Sequence, residues 1–239
     1  MITSVSNDKI KEIIKLKDNK NMMQEKKFIV ETMHLVEEAK KCGVLLETIS
    51  LNDINLGVKN TVVSSNVMAK LSDLKTPSNV IGICKFLDES DDLSDKVLIL
   101  DGVGDPGNLG TIIRSANAFG IKDIVLSKTS VNKYNSKVIR ATEGMMFNLN
   151  VISRDLNEYI KELKNSGYKI LVTDVTGGSD IRNINKDEKL AIVMGSEGSG
   201  VSDEIKKLSD ENIYIKTSDS CESLNVAVAT SIILYELAK

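Results

Sequence analysis

A single histidine, His34, serves the whole chain, so histidine triads and imidazole metal centres have little to draw on. No metal site is expected. The three cysteines, Cys42, Cys84 and Cys221, are odd in number and far apart. That argues against a disulfide framework or a zinc cluster and suits reduced thiols in the cytoplasm. No apolar run reaches the ~20 residues of a membrane span. The stretch from Met1 to Lys20 is polar with a helical pattern, unlike a signal peptide. A net charge of −3 announces no nucleic-acid partner, so any basic surface has to be local. Arginine is scarce too, with four in the chain.

What is present is ordinary for a globular chain: 41% hydrophobic and 27% charged residues over 239 positions, enough for one large domain or two small ones. The first part reads as a small mixed α/β unit. A helix is expected over 6–17, capped by Ser6 or Asn7, with Ile10, Ile13 and Ile14 on one stripe. From Lys9 to Lys27 there are seven lysines and three acids, so this end is locally basic. Strands are expected at Phe28–Glu31, 47–51, 61–63 and Asn79–Leu87. Helices are expected from Thr32, as cap, through Ala39, and over 65–71. Asp88 to Asp95 holds five acids and no base. It reads as a linker, 88–96, between a domain at 1–87 and another at 97–239.

After it the rhythm changes. Val97-Leu98-Ile99-Leu100 is a continuous apolar run, as in a strand buried on both faces. Helices at 110–119, 136–141, 155–165, 202–208 and 224–237 alternate with strands at 124–126, 169–173, 190–194 and 212–216. Such alternation predicts a parallel sheet covered on both sides. Ligands then sit beyond the carboxyl ends of the strands. Glycine-containing turns at 102–110, 174–179 and 195–200 fall there.

The chemistry of these turns can be weighed singly. Gly102-Val103-Gly104-Asp105-Pro106-Gly107 fits GxGxxG between a strand and a helix. The helix is expected to begin only after Asn108, as its cap, and the next strand ends at Ser127-Lys128 without a ribose-binding acid. Both count against a dinucleotide site. Arg114 lies in an otherwise apolar helix, either on its exposed stripe or aimed at a phosphate or ribose. Lys128, Lys133, Lys137 and Arg140 surround Tyr134, a pattern open to RNA contact with stacking or to a solvated loop. Gly195-Ser196-Glu197-Gly198-Ser199-Gly200 lacks the Lys-Ser/Thr pair of a phosphate loop, and Glu197 would repel phosphate. It suits a ligand with hydroxyls, an amine or a positive charge. Ser223 and Asn225 precede a helix that is apolar nearly all round, which predicts burial on more than one side. Ser223 has no GxSxG setting and is not read as a hydrolase nucleophile.

Asn108–Arg114, Gly195–Gly200, and Ile215 with Ser223-Leu224-Asn225-Val226 through Ala229 together resemble the TrmH (SpoU) family of RNA ribose 2′-O-methyltransferases, in the SPOUT superfamily. The pattern is N-x-G-x-I-x-R, then G-x-E-G-x-G, then I-P-x-x-G…S-L-N-V-x-x-A. Tyr134–Ala141 also matches, and the N-terminal part resembles a ribosomal-protein-like RNA-binding domain. The resemblance implies a C-terminal α/β trefoil-knot domain with a parallel sheet, and a homodimer. It implies S-adenosylmethionine held by Met194, Gly195, Ile215, Leu224 and Asn225. Asn108, Arg114, Glu197, Ser223 and Asn225 match its catalytic or substrate-positioning residues, and Arg114, Lys137 and Arg140 would meet RNA. Three positions depart from the pattern: Lys216 for proline, Asp219 for glycine, and Thr32 for the glycine of an N-terminal E-G pair. The implied substrate is ribosomal RNA. Transfer RNA, or an RNA-binding protein that keeps the knot without catalysis, are the alternatives.

Overall fold

The computed structural model describes residues 1–174 and 177–238. In chain order its elements are α1 (Asp8–Lys15), α2 (Asn19–Glu25), β1 (Lys27–Glu31), α3 (Met33–Lys41), β2 (Leu45–Ser50), β3 (Lys59–Val62), α4 (Ser65–Leu71) and β4 (Val80–Lys85). There follow β5 (Lys96–Leu100), α5 (Pro106–Ala118), β6 (Asp123–Ser127), α6 (Ser136–Ala141), β7 (Asn150–Arg154), α7 (Leu156–Asn165), β8 (Lys169–Thr173), β9 (Ser179–Asp180), β10 (Leu190–Met194), α8 (Asp203–Lys206), β11 (Glu211–Tyr214) and α9 (Val226–Ala238). They form two compact units. One joins 1–88 to 134–147; the other joins 89–133 to the chain from Asn148 onward. Helix α6, which the sequence reading assigned to 97–239, therefore belongs to the first unit.

The first unit is built on a four-stranded sheet in the order β1-β4-β2-β3. β4 runs antiparallel to β1 and β2, whereas β2 and β3 are parallel. The isoleucine stripe of α1 packs with Val67 and Leu71 of α4 and with Ile49, Ile81 and Ile83 of the sheet. Asn7, not Ser6, caps α1, accepting from the Lys9 N–H. Sequence periodicity gives no sign of α2, because its two apolar residues, Met22 and Met23, are adjacent and only Met22 is buried. Thr32 caps α3 as expected but sits at φ +88°. A β-branched residue is strained there, and the family's glycine would not be.

The second unit carries seven strands, all parallel, in the order β7-β6-β5-β10-β8-β11-β9. The run Val97–Leu100 is fully buried in its centre. One side of the sheet packs on α7 and α8 through Tyr159, Ile160, Leu163 and Ile205. On α9 and α5, Ser115 and Ser231 share a hydroxyl hydrogen bond of 2.7 Å and Phe119 meets Tyr235 edge-on.

The acidic stretch begins at the boundary between the units but does not behave as a free linker. Glu89 pairs with Lys133 at 2.9 Å and with Arg154 at 3.2 Å, and Asp91 pairs with Arg154 at 2.8 Å. Partial burial pushes the Glu89 carboxyl up, but the two cations outweigh it and hold it below the usual range. Ser90 exchanges two hydrogen bonds with Asn150, and Leu93 packs on the core. Bases tens of residues away in sequence thus fasten this stretch to the second unit.

Candidate active site

Strand β10 sets up the site by ending in a residue that must be glycine. A Cβ on Gly195 would fall 1.9 Å from the carbonyl carbon of Gly200 and 2.1 Å from the nitrogen of Val201. Ser196 and Gly200 then exchange backbone hydrogen bonds of 3.1 and 3.0 Å, which close the loop on itself. Gly200 turns the chain at φ +67°. The loop is fastened behind by the Ser202 N–H, which donates to Asp101 Oδ2 at 2.9 Å. Glu197 stands exposed at its tip.

This loop forms one wall of a cavity of about 400 Å³ at the carboxyl ends of β8, β10 and β11. That is the size of an ordinary small-molecule site. Of the expected cofactor residues, Met194, Gly195, Ile215 and Leu224 line it, as do Glu197 and Ser223, whereas Asn225 stands beside the wall and not on it. The stretch that departs from the family pattern still supplies Thr217 and Cys221–Leu224 to the wall. The charge of Lys216 instead helps depress the Asp180 carboxyl, which is lowered to about 2 mainly by its hydrogen bonds from Arg182. Among the charged wall residues, sequence reasoning missed Asp174, Lys206 and Glu222. Asp174 fell in the turn expected at 174–179, of which Val175 and Thr176 lie outside the described residues.

Beside the cavity, three side chains form a directed chain. Asn225 caps α9, its Oδ1 accepting from the N–H groups of Ala227 (2.9 Å) and Val228 (3.3 Å). Those groups can only donate, so the Asn225 amide has its NH₂ to give, and Nδ2 donates to Asn108 Oδ1 at 3.1 Å. Asn108 must then donate in turn, and its Nδ2 reaches Glu197 Oε1 at 2.6 Å. The helix cap thereby fixes both amides and leaves Glu197 as the acceptor at the end of the chain. Asn108 is free to do this because it is not the cap of α5. The helix starts at Pro106, and Asp105 caps it by accepting from the Asn108 N–H at 2.8 Å. The sequence reading erred by taking the proline as loop, although proline is favoured in the first turn.

Arg114 is exposed on α5 and has no hydrogen bond or ion pair among the described residues. The other two arginine and lysine candidates for RNA lie on α6, in the first unit. Lys137 is exposed. Arg140 is turned inward: its Nη1 is buried, has no hydrogen bond among the described residues, and stands 3.8 Å from Glu31 Oε1. Of the two readings of the basic loop, base stacking by Tyr134 is not supported. Tyr134 is buried, stacked on Phe86 with centroids 4.0 Å apart, and its hydroxyl accepts from the Leu87 N–H at 2.8 Å. Lys133 is buried beside Glu89, and Lys128 pairs with Asp155. A loop rich in bases and an aromatic was legible, but which of them faced an interior was not.

The cavity is suited to a ligand of positive charge. Its described wall carries three carboxylates, Asp174, Glu197 and Glu222, against one cation, Lys206. These features fit a sulfonium cofactor.

Comparison with known proteins agrees with this geometry. Residues 95–235 match the SpoU rRNA Methylase family, and residues 7–82 match an MRM3-like substrate binding domain. The chain is 34% identical over 243 residues to the 23S rRNA (guanosine(2553)-2′-O)-methyltransferase RlmP of Bacillus subtilis, covering 99% of this chain and 98% of that protein. Among solved structures, an rRNA methyltransferase from Sinorhizobium meliloti superposes with a TM-score of 0.89 at 27% identity, covering 99% of this chain and 96% of the other. An AdoMet-bound rRNA methyltransferase from the same organism gives a TM-score of 0.89 at 26% identity, with the same coverage.

Proposed function

The chain belongs to the SpoU rRNA methylase family, and from that premise we propose that it methylates a ribose 2′-hydroxyl of ribosomal RNA with S-adenosylmethionine as donor. The observation that carries the reading is the directed chain Asn225–Asn108–Glu197 beside an acid-lined cavity at the sheet's carboxyl edge. Full-length similarity to a 23S rRNA methyltransferase supports ribosomal RNA as the substrate.

When bound, S-adenosylmethionine supplies an electrophilic methyl group on a positively charged sulfur. Met194, Gly195, Ile215 and Leu224 hold it by shape and main-chain groups, and the neighbouring carboxylates complement its charge. Asn108 and Asn225 hold Glu197 in one orientation, so that the in-line approach of the ribose oxygen is prepaid in entropy. Transfer of that methyl group to the 2′-oxygen would release the hydroxyl proton, which a residue of the site has to take up. Glu197 is the group in this cluster that can take the hydroxyl proton. Arg114 cannot, since a guanidinium is effectively always protonated. Its exposed, unpaired position suits it to hold the ribose and stabilise the developing charge. Arg114→Ala should lose turnover by about 10²–10³-fold while cofactor affinity stays within a few-fold. Normal methylation by this variant would remove the assignment.

The same reading takes the chain to be a homodimer, supported by the exposed Val228 and Tyr235 on apolar α9. Light scattering that gives a monomer mass would sink this. The loops after β10 and β11 are read as parts of a trefoil knot, supported by the strand order and by the close passage of Gly195 against Gly200–Val201. An experimental trace through 190–226 that pulls straight would reject it. The cytoplasm suits its three free thiols, and fractionation checks that.

The deciding experiment is methylation of total RNA with labelled donor, followed by mapping of the ribose-methylated position. Label in ribosomal RNA is expected. Label in transfer RNA alone would move the substrate, and donor binding without label in any RNA would favour a non-catalytic RNA-binding protein.

A further inference from the structure

The proposed function gives Lys206 no role and Asp174 only a share of the wall's negative charge, yet both stand on the wall of the cofactor cavity. Asp174 follows β8 directly, and its backbone N–H is tied to Ile213 O at 3.0 Å. Lys206 comes from the last turn of α8, the helix that follows the glycine loop in the chain. The two side chains meet as an ion pair at 3.0 Å, with Asp174 13% exposed and Lys206 36% exposed.

Lys206 is the only cation among the described residues of a wall that also carries Asp174, Glu197 and Glu222. The donor named above has two positive groups, the sulfonium and the α-ammonium, and one negative group, the α-carboxylate. A wall with one cation has one place for that carboxylate. We infer that Lys206 receives the α-carboxylate of the cofactor's amino-acid tail and Asp174 its α-ammonium, so that the pair acts as a zwitterion reader. This deepens the cofactor reading and rests on it.

The pair is suited to the task because its two charges are already matched. A zwitterion that inserts between them exchanges each partner for an equivalent one, so neither charge is left unpaired in a half-buried site. A ligand without the tail leaves the ion pair closed and gains nothing from it. The two residues should therefore discriminate between ligands that share an adenosine and a sulfur but differ in the tail.

The test is calorimetric binding of S-adenosylhomocysteine, which has the tail, and of 5′-methylthioadenosine, which lacks it. Wild type, Lys206→Met and Asp174→Asn are compared, with folding checked by thermal melts. Wild type should prefer the tailed ligand. Lys206→Met should weaken that ligand by about tenfold or more, the effect of losing one charge-assisted hydrogen bond, and leave methylthioadenosine unchanged. Asp174→Asn should act in the same direction. Equal loss for both ligands, or no loss for either, overturns the assignment and makes the pair a structural clasp. A wild-type protein that binds neither ligand overturns the cofactor reading itself, and this assignment with it.

Discussion

Two loops face each other across the same cavity and are held by different means. The Gly195–Gly200 loop is locked by its own backbone, through the paired hydrogen bonds of Ser196 and Gly200 and a passage too close for any side chain. The stretch from Ile215 to Asn225 has only the Cys221 N–H donating to Ser218 O at 3.0 Å as a backbone hydrogen bond of its own among the described residues. Its far end is anchored by a side chain, the Asn225 cap of α9. The difference explains where the chain can depart from its family. A loop defined by steric exclusion admits no change at Gly195. A loop defined by its two anchored ends tolerates Lys216 and Asp219 between them and still brings Thr217 and Cys221–Leu224 to the wall.

Substitutions can break or sharpen this contrast, in decreasing order of effect. Gly195→Ala places a methyl group inside backbone contact distance and should abolish cofactor binding. It should also cost about 3 kcal/mol of stability or more, the upper end for overpacking. Calorimetry and chemical denaturation would read both, and a variant that binds normally would show the loop to be pliable. Glu197→Gln, at the tip of the same loop, keeps the shape but removes the proton acceptor. Turnover should fall by about 10²-fold or more in steady-state assays, and binding assays should show a much smaller loss of cofactor affinity, since two of the three wall carboxylates remain. Asn225→Ala removes the cap and one link of the directed chain at once. It should lower stability by about 1 kcal/mol and reduce turnover less than the Glu197 change, as measured in steady-state assays beside melts. Lys216→Pro restores the family residue and should alter cofactor affinity by less than about threefold, since proline acts mainly on the unfolded chain. A large change in calorimetric affinity would mean that this loop is shaped locally after all.

Both ends of the first loop were legible in the sequence, since G-x-E-G-x-G after an apolar strand leaves few conformations. The second loop was legible only as a pattern with gaps. Local signals also named α4, α6, β8 and β10 with their observed bounds. They misplaced the start of α5 by four residues, because Pro106 reads equally well as turn or first helical residue. They missed β7, whose alternation is short and ends in charge, and α2, which is polar nearly throughout.

Within a window of some ten residues, then, the amino-acid order alone determined the α/β alternation, the parallel sheet and the glycine loop, whereas Asn108, Glu197 and Asn225 stood out only through the resemblance to a family pattern. Periodicity and backbone sterics act over that range. The fate of each charge was settled only by the tertiary structure. Glu89 meets Lys133 and Arg154, Arg140 turns to Glu31, Tyr134 is taken up by Phe86, and Arg114 stays free among the described residues. Asn108 reaches a glutamate 89 residues away because Asp105 relieves it of capping and Asn225 fixes its amide. A side chain's partner depends on distances between segments that no local pattern encodes, and in this protein those distances turn three scattered polar residues into one directed chain.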